Sequence, residues 1–216
     1  MKRVESSNRW FALGSSAALA VVVACGGSGA EPMPTPGFGV LSGQTVLVLP
    51  VQYVQRVPGG WVGGAPNAQD AARSADTEIT FALHEVGGRA NWVTPEQQME
   101  ELSRRPSIEV FPYLLSADEA RQQGGSLRHV RDPLYGEIRM LAALFDARYA
   151  VWPLEFFYEQ DEEGAAGHLA IRTFVLDARG GSVVWYGIVR GEGDLPPASP
   201  GALAAAAQTF AVQVSP

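Results

Sequence analysis

Hydrophobic positions along this chain change period several times, and each change marks an element. Thr45 to Val54, "TVLVLPVQYV", is a nearly continuous apolar and β-branched run, as expected of a strand buried on both faces. Pro50 within it marks a strand end, a bulge or an edge position. From Ala71 to Val86 the period becomes helical. Ala75, Ile79, Leu83 and Val86 share a face, Ser74 is a candidate N-cap, and Gly87-Gly88 stops the helix. A short strand follows at Ala90 to Val93. In "TPEQQMEELSRR", Thr94 is a cap, Pro95 takes the first helical position and Gln97 completes a capping box. Met99 and Leu102 supply its inward stripe, and Pro106 ends it.

Residues 107–131 read as a connection holding a short helix, Ser116 to Gln123. Asp132 then caps and Pro133 starts a helix whose Leu134, Ile138, Leu141 and Phe145 line one face, and a strand runs from Tyr149 to Tyr158. After the polar turn "DEEGAAG" come two more strands, "HLAIRTFVLD" and "SVVWYGIVRG". The tight turn "ARGG" joins them, with Asp177 positioned to accept from backbone amides. An alanine-rich helix, Pro200 to about Val212, closes the chain. The order predicts an α/β fold: a mixed sheet of about five strands with helices packed on it, ending in a three-strand antiparallel meander and a C-terminal helix. Residues 44–216 make one globular domain of ordinary size.

Two stretches break the periodicity. Residues 25–43, rich in Gly, Pro and Ser, read as a flexible tether. "QRVPGGWVGGAPNAQD", Gln55 to Asp70, is a long loop in which two Gly-Gly pairs flank Trp61 and Val62. It is either a ligand or partner loop anchored by Trp61, or a disordered insertion whose Trp covers a nearby apolar patch. Aromatic residues also cluster on the meander. Strand alternation turns one subset away from the helices, which makes Phe157 and Trp185, with Trp61, candidate partner-binding residues.

The amino-terminal 24 residues have a basic start (Lys2, Arg3, Arg9), a short apolar centre and small residues at the end, the layout of a secretory signal. The apolar run, Trp10 to Ala24, is shorter than a membrane span and is broken by Gly14, Ser15 and Ser16. The junction Val22-Val23-Ala24-Cys25 resembles a bacterial lipobox. That resemblance implies cleavage between Ala24 and Cys25, a diacylglycerol on the Cys25 thiol, and acylation of the new amino terminus. A single acyl chain, at about 0.8 kcal/mol per buried methylene, anchors only marginally, whereas two or more anchor durably. Gly26 stands where an aspartate favours retention at the inner membrane, so the periplasmic face of the outer membrane is the expected site. An ordinary cleaved signal with an incidental cysteine is the other reading.

Charge narrows the partners. Cleavage removes Lys2, Arg3, Arg9 and Glu5 from totals of 16 basic and 23 acidic residues, leaving 13 and 22, a net charge of −9 with no lysine at all. This argues against nucleic acid and leaves membrane attachment to the acyl chains on Cys25. With its one cysteine acylated, the chain has no internal disulfide. His84, His129 and His168 show no HExxH or close pair, so no zinc site is expected, and His84 reads as a surface residue. Asp161-Glu162-Glu163 lacks calcium-loop spacing, no GxSxG elbow occurs, and Gly59 to Gly64 has neither P-loop lysine nor GxGxxG order. No cofactor, metal or catalytic residue is expected.

"TVLVLPV", "LAALFDARYAVWPLEF" and "FVLDARGGSVVW" together resemble the periplasmic lipoprotein domains of the LpoB, CsgG and TolB amino-terminal type. Those families carry a "VAVLPF"-like first strand, "LGADYVLTG"-like helix-to-strand text and "LVDARTGEVVW"-like hairpin text. Val51 replaces the usual aromatic after proline, and the Gly-rich loop and residues 107–131 are not family hallmarks. The resemblance implies a fold used for protein contacts in the envelope and transfers no catalytic residue. The expectation is a non-enzymatic, membrane-anchored envelope lipoprotein with a protein partner in envelope assembly or secretion. The competing expectations are a small-ligand binder or enzyme using the loop around Trp61 and the arginines, and a self-associating structural subunit.

Overall fold

A computed structural model describes residues 38–160 and 167–216. The signal segment, Cys25 and the acidic turn at 161–166 lie outside the described residues, as does the tether up to residue 37. The elements are β1 (Thr45–Val48), β2 (Tyr53–Val54), α1 (Ala68–Val86), β3 (Asn91–Val93), α2 (Pro95–Ser103), α3 (Asp118–Gln123), α4 (Leu134–Leu144), β4 (Tyr149–Glu159), β5 (His168–Asp177), β6 (Ser182–Arg190) and α5 (Pro200–Val214). The strands form one mixed sheet in the order β3-β1-β4-β5-β6, with β2 pairing β4 beyond the end of β1. Pairings among β3, β1, β4 and β2 are parallel, and β4, β5 and β6 are antiparallel. The mixed sheet, the meander and the C-terminal helix expected from the sequence are the fold the chain adopts.

Both faces of the sheet are covered, and alternation along the strands divides the core accordingly. Val46, Val48, Val151, Ile171, Val175 and Trp185 face α1 and α5. Leu47, Leu49, Ala150, Trp152, Phe174 and Leu176 face α4 and the connection before it. The alanines of α5 put no bulk between it and its neighbours: Ala206, Ala207 and Ala211 are fully buried. The capping box of α2 is present, with Gln97 N–H donating to Thr94 Oγ1 and Thr94 N–H donating to Gln97 Oε1 at 2.8 Å. At the β5–β6 turn, Asp177 Oδ1 accepts from Arg179 N at 2.9 Å and Gly180 N at 3.2 Å, and Gly181 takes the left-handed φ of +69°.

Several boundaries differ from the sequence reading. The run 45–54 is two strands: Pro50, with no N–H to donate, ends the β1 ladder, and the chain rejoins β4 at Tyr53. Helix α1 starts at Ala68, capped by Asn67, seven residues before Ser74, and Asn67 Oδ1 accepts from Asp70 N at 2.9 Å. On α2, Gln98 points inward in place of Met99. Its Nε2 donates to Val48 O at 2.8 Å and Val93 O at 3.1 Å, tying the ends of two parallel strands. The Gly-rich loop is folded: Val57 and Gly60 exchange backbone hydrogen bonds, and Val57 and Val62 are buried in the α1–α5 core.

The tether boundary at residue 43 also moves. Phe38–Leu41 is a 3-10 turn with Phe38 and Leu41 buried. The Phe38 ring meets Trp185 edge-on, centroids 5.4 Å apart at 82°. Trp185 is therefore core, 4% exposed, and not a partner-binding surface residue. No half of the meander's aromatics is left facing away from the helices, because the 107–131 connection covers the second face. Tyr186 lies against Gly125, where an added Cβ would sit 3.0 Å from its ring, and 4.9 Å from Phe174.

A chain beginning at residue 38 should melt well above one beginning at residue 44. Losing the buried Phe38 and Leu41 side chains removes roughly 3–6 kcal/mol, on the order of ten degrees for a domain of this size. Equal melting temperatures by circular dichroism would return these residues to the tether.

Candidate functional site

The site begins at the break after β1. Strand β1 leads through α1 to β3 on one side, and its other neighbour, β4, follows α4 on the opposite face. The carboxyl end of β1 is thus a point where the connections diverge, the place where open α/β sheets form crevices. There Val51 N–H, turned out of the ladder, donates to Asp76 Oδ1 of α1 at 2.9 Å. Gln52 fastens the 107–131 connection across the same end. Its Nε2 donates to Pro50 O at 3.1 Å and Pro112 O at 2.8 Å, and its Oε1 accepts from Leu115 N at 3.2 Å. This clamp places the 3-10 turn Pro112–Leu114 beside the strand break.

A cleft of about 530 Å³ opens between α1, residues 51–54, Met99 and that turn. Its walls include the apolar Val51, Val54, Ala72 and Leu114, with Gln52, Gln69, Arg73 and Tyr113 as polar members. Met99 also borders a second groove of about 650 Å³ that runs along Leu102, Ile108 and Phe111. Exposed around both are Leu114 at 76%, Phe111 at 64% and Met99 at 42%. Large apolar side chains exposed together mark an interaction surface more strongly than isolated ones.

Asp76 lies behind Val51 and Tyr113, which line this cleft, and is 6% exposed. Burial pushes its carboxyl up from 3.8 to about 7, against the opposing pull of Val51 N–H and the Tyr113 hydroxyl. Beside Val51 N–H at Oδ1, the Tyr113 hydroxyl acts on the carboxyl as its side-chain hydrogen-bonding neighbour. Tyr113 is pushed up to about 12, first by burial and then by the Asp76 charge.

A second polar cluster lies at the β2–β4–β5 end of the sheet. Glu155, fully buried, accepts at Oε1 from Gln55 Nε2 at 2.8 Å and Arg121 Nε at 3.0 Å. Arg172 Nη1 lies 2.8 Å from Glu155 Oε2 while donating to Arg121 O at 3.0 Å. Tyr53 donates to Asp118 Oδ1 at 2.6 Å beneath the Arg121 guanidinium. Burial and Asp118 push the Tyr53 hydroxyl up to about 12, and Glu155 raises the Arg121 pKa further. Two arginines meet two carboxylates here, so the cluster holds α3 to the sheet and has no surplus charge for an anionic substrate.

The structure does not bring Trp61, Phe157 and Trp185 together. Trp61 is half-buried on the loop packed by α1 and α5. Phe157 is half-buried on the opposite face under Arg172, 5.5 Å from the guanidinium carbon. Trp185 is interior. Of the residues that line the cleft, the sequence marks Met99 as core and Val51 as a departure from the family text, and none as a site residue. Asp76 had a legible signal, being an acid one position from Ala75 and three before Ile79 in an inward stripe. "FPYLL", residues 111–115, was an apolar run in a segment with no regular period.

Among the described residues no helix is long and apolar enough to cross a membrane, and no group of three or more His, Cys, Asp or Glu is placed to hold a metal. No family model matches the chain, and no curated protein matches its sequence. Solved structures that resemble it include the LpoB C-terminal domain from Salmonella enterica, at 15% identity and a TM-score of 0.40, covering 72% of this chain and 87% of that one. A PelC dodecamer from Paraburkholderia phytofirmans matches at 14% identity and 0.37, over 86% and 94%. Lipoprotein GNA1162 from Neisseria meningitidis matches at 12% and 0.33, over 70% and 81%. Likeness at this level says nothing of what this chain binds.

The raised Asp76 pKa sets a pH dependence. The folded state keeps this proton to about pH 7, whereas the unfolded chain releases it near 3.8. The folded state therefore binds more protons in that window, and stability falls as pH rises through it. Asp76→Asn keeps the acceptor for Val51 N–H and removes the titration. In urea melts, the loss of stability between pH 5 and pH 8 should shrink by about 2–3 kcal/mol relative to wild type. An unchanged difference would show that Asp76 titrates normally.

Proposed function

We propose that this chain is a lipid-anchored protein of the bacterial cell envelope, held by acyl chains on Cys25 at the periplasmic face of the outer membrane, and that its α/β domain binds another envelope protein without catalysis. The sequence supports the anchor: a signal segment ends in a lipobox-like junction at Ala24 and Cys25. The contact surface is the one around Met99, Phe111 and Leu114. The observation that carries it is the exposure of these three apolar side chains along two adjoining grooves. Water is a poor solvent for such a surface, and a protein partner removes it from water at about 25 cal/mol per Å² before the costs of association. Phe157, half-buried beside Arg172, and Trp61 are secondary candidates at other sites.

Two measurements test this. Intact mass of protein extracted from cells should show acyl chains on Cys25 and loss of residues 1–24, and Cys25→Ser should leave the membrane fraction. A photo-crosslinking residue at position 114 should capture one envelope protein. Phe111→Asp should reduce that capture at least tenfold, with little change in melting temperature because the side chain is already in water. A mature chain with no added acyl mass, or capture unaffected by Phe111→Asp, would contradict the proposal.

A further inference from the structure

We propose that the open edge of β6 receives the chain's own residues 31–37 as an added antiparallel strand, with Gly37, Thr35 and Met33 opposite Tyr186, Ile188 and Arg190. The pairing depends on neither the lipid anchor nor the Met99–Phe111–Leu114 surface. Residues 31–37 lie outside the described residues, whereas the edge they would meet lies within them.

Strand β6 ends the sheet and is bonded to β5 on one side only. Gly191 N–H donates to Leu169 O at 2.8 Å, one step beyond the Ala170–Arg190 pair. Facing groups alternate along an antiparallel ladder, so Val189 and Gly187 also bond to β5. Arg190, Ile188 and Tyr186 then turn their N–H and C=O outward. At the start of the strand Val183 N–H points outward too, and Arg128 O accepts it at 2.8 Å. Past that point the edge is uncovered. Among the described residues no backbone group bonds to the outer side of Tyr186, Ile188 or Arg190. From Tyr186 to Arg190 there is no proline, lysine or bulge to discourage pairing. The one charge there, Arg190, is paired with Glu159 at 2.6 Å.

Phe38 fixes the occupant and its register. Its ring meets Trp185 edge-on at 5.4 Å, with both side chains in the core beneath α1 and α5, as in a cross-strand pair. The residue before it, Gly37, therefore enters beside Tyr186. An antiparallel continuation sets Thr35 against Ile188 and Met33 against Arg190. The sequence "EPMPTPG" alternates in phase with that register, with proline at 32, 34 and 36. A proline has no N–H and suits an edge strand only where that side faces solvent. Every position facing β6 keeps its N–H, and every proline falls on the outer side. The added strand would thus serve the open edge of β6 and present in its place an edge without donors at the prolines. The residue before a proline is held extended, so Glu31, Met33 and Thr35 lose little freedom on pairing. The chain's own segment is favoured over a strand from another molecule because Phe38 already holds it next to the edge, with almost no loop to close.

Pairing also moves the point at which the tether leaves the domain. β6 runs parallel to β1, so the unpaired chain departs near Arg190, at the sheet end where the cleft opens.

Amide hydrogen exchange by NMR on the full-length protein in detergent tests the edge directly. Ile188 N–H should exchange roughly a hundredfold more slowly than an amide open to water. Thr35→Pro removes a facing N–H and should abolish that protection, while Val189, bonded to β5, keeps its own and reports an intact fold. Pro34→Ala should leave both amides as they are. An Ile188 amide that exchanges freely in the wild type overturns the proposal. Protection that survives Thr35→Pro assigns the edge to a different occupant, and protection lost on dilution assigns it to a second copy; either result overturns it as well.

Discussion

Pro50 is the constraint on which the candidate site depends. A proline has no N–H for a ladder and cannot continue a central strand. The chain therefore leaves β1 after Val48 and returns to the sheet alongside β4 at Tyr53. In the gap, backbone groups that a ladder would have satisfied need other partners, since buried polar groups without them are unfavourable. Val51 N–H finds Asp76, Pro50 O accepts from Gln52 Nε2 and Trp152 Nε1, and Gln52 captures residues 112 and 115. A charge-bearing side chain is thereby drawn into the core, and a loop is fixed beside it with its apolar side chains outward.

Those two outcomes connect packing to function. The buried Asp76 carboxyl has its pKa raised because the same packing that gives it Val51 N–H removes water from its other oxygen. The 3-10 turn held by Gln52 cannot bury Leu114, and Phe111 beside it is exposed as well. Glu155 resembles Asp76 in being buried, yet differs in facing two cations: Oε1 accepts from Gln55 and Arg121, and Oε2 lies 2.8 Å from Arg172 Nη1. It fastens α3 to the sheet, whereas Asp76 fastens α1 to the strand break through Val51 N–H.

Elements whose signals are local were legible in the sequence. The capping box at Thr94 and Gln97, the Asp177 turn and the meander strands depend on neighbours a few residues apart, and the chain realises them close to the expected positions. Positions set by distant partners were not. Ser74 has the chemistry of a cap, but Asn67 starts the helix because Val62 packs the preceding loop against α1 and α5. Met99 has an apolar side chain, but Gln98 is inside because two carbonyls at strand ends, Val48 and Val93, require its amide. Phe38 sits in tether-like composition and is held by Trp185, 147 positions along the chain. Of the site, the break at Pro50 is legible locally; that a cleft forms beside it depends on where residues 107–131 cross, which no local pattern encodes.

The strand break draws one carboxyl, Asp76, into the core, where burial disfavours its ionised form. Direct titration of the Asp76 side-chain carboxyl by carbon-detected NMR measures that state. A midpoint near 7 is the result this structure requires; a midpoint near 4, the value of a carboxyl in water, would contradict it.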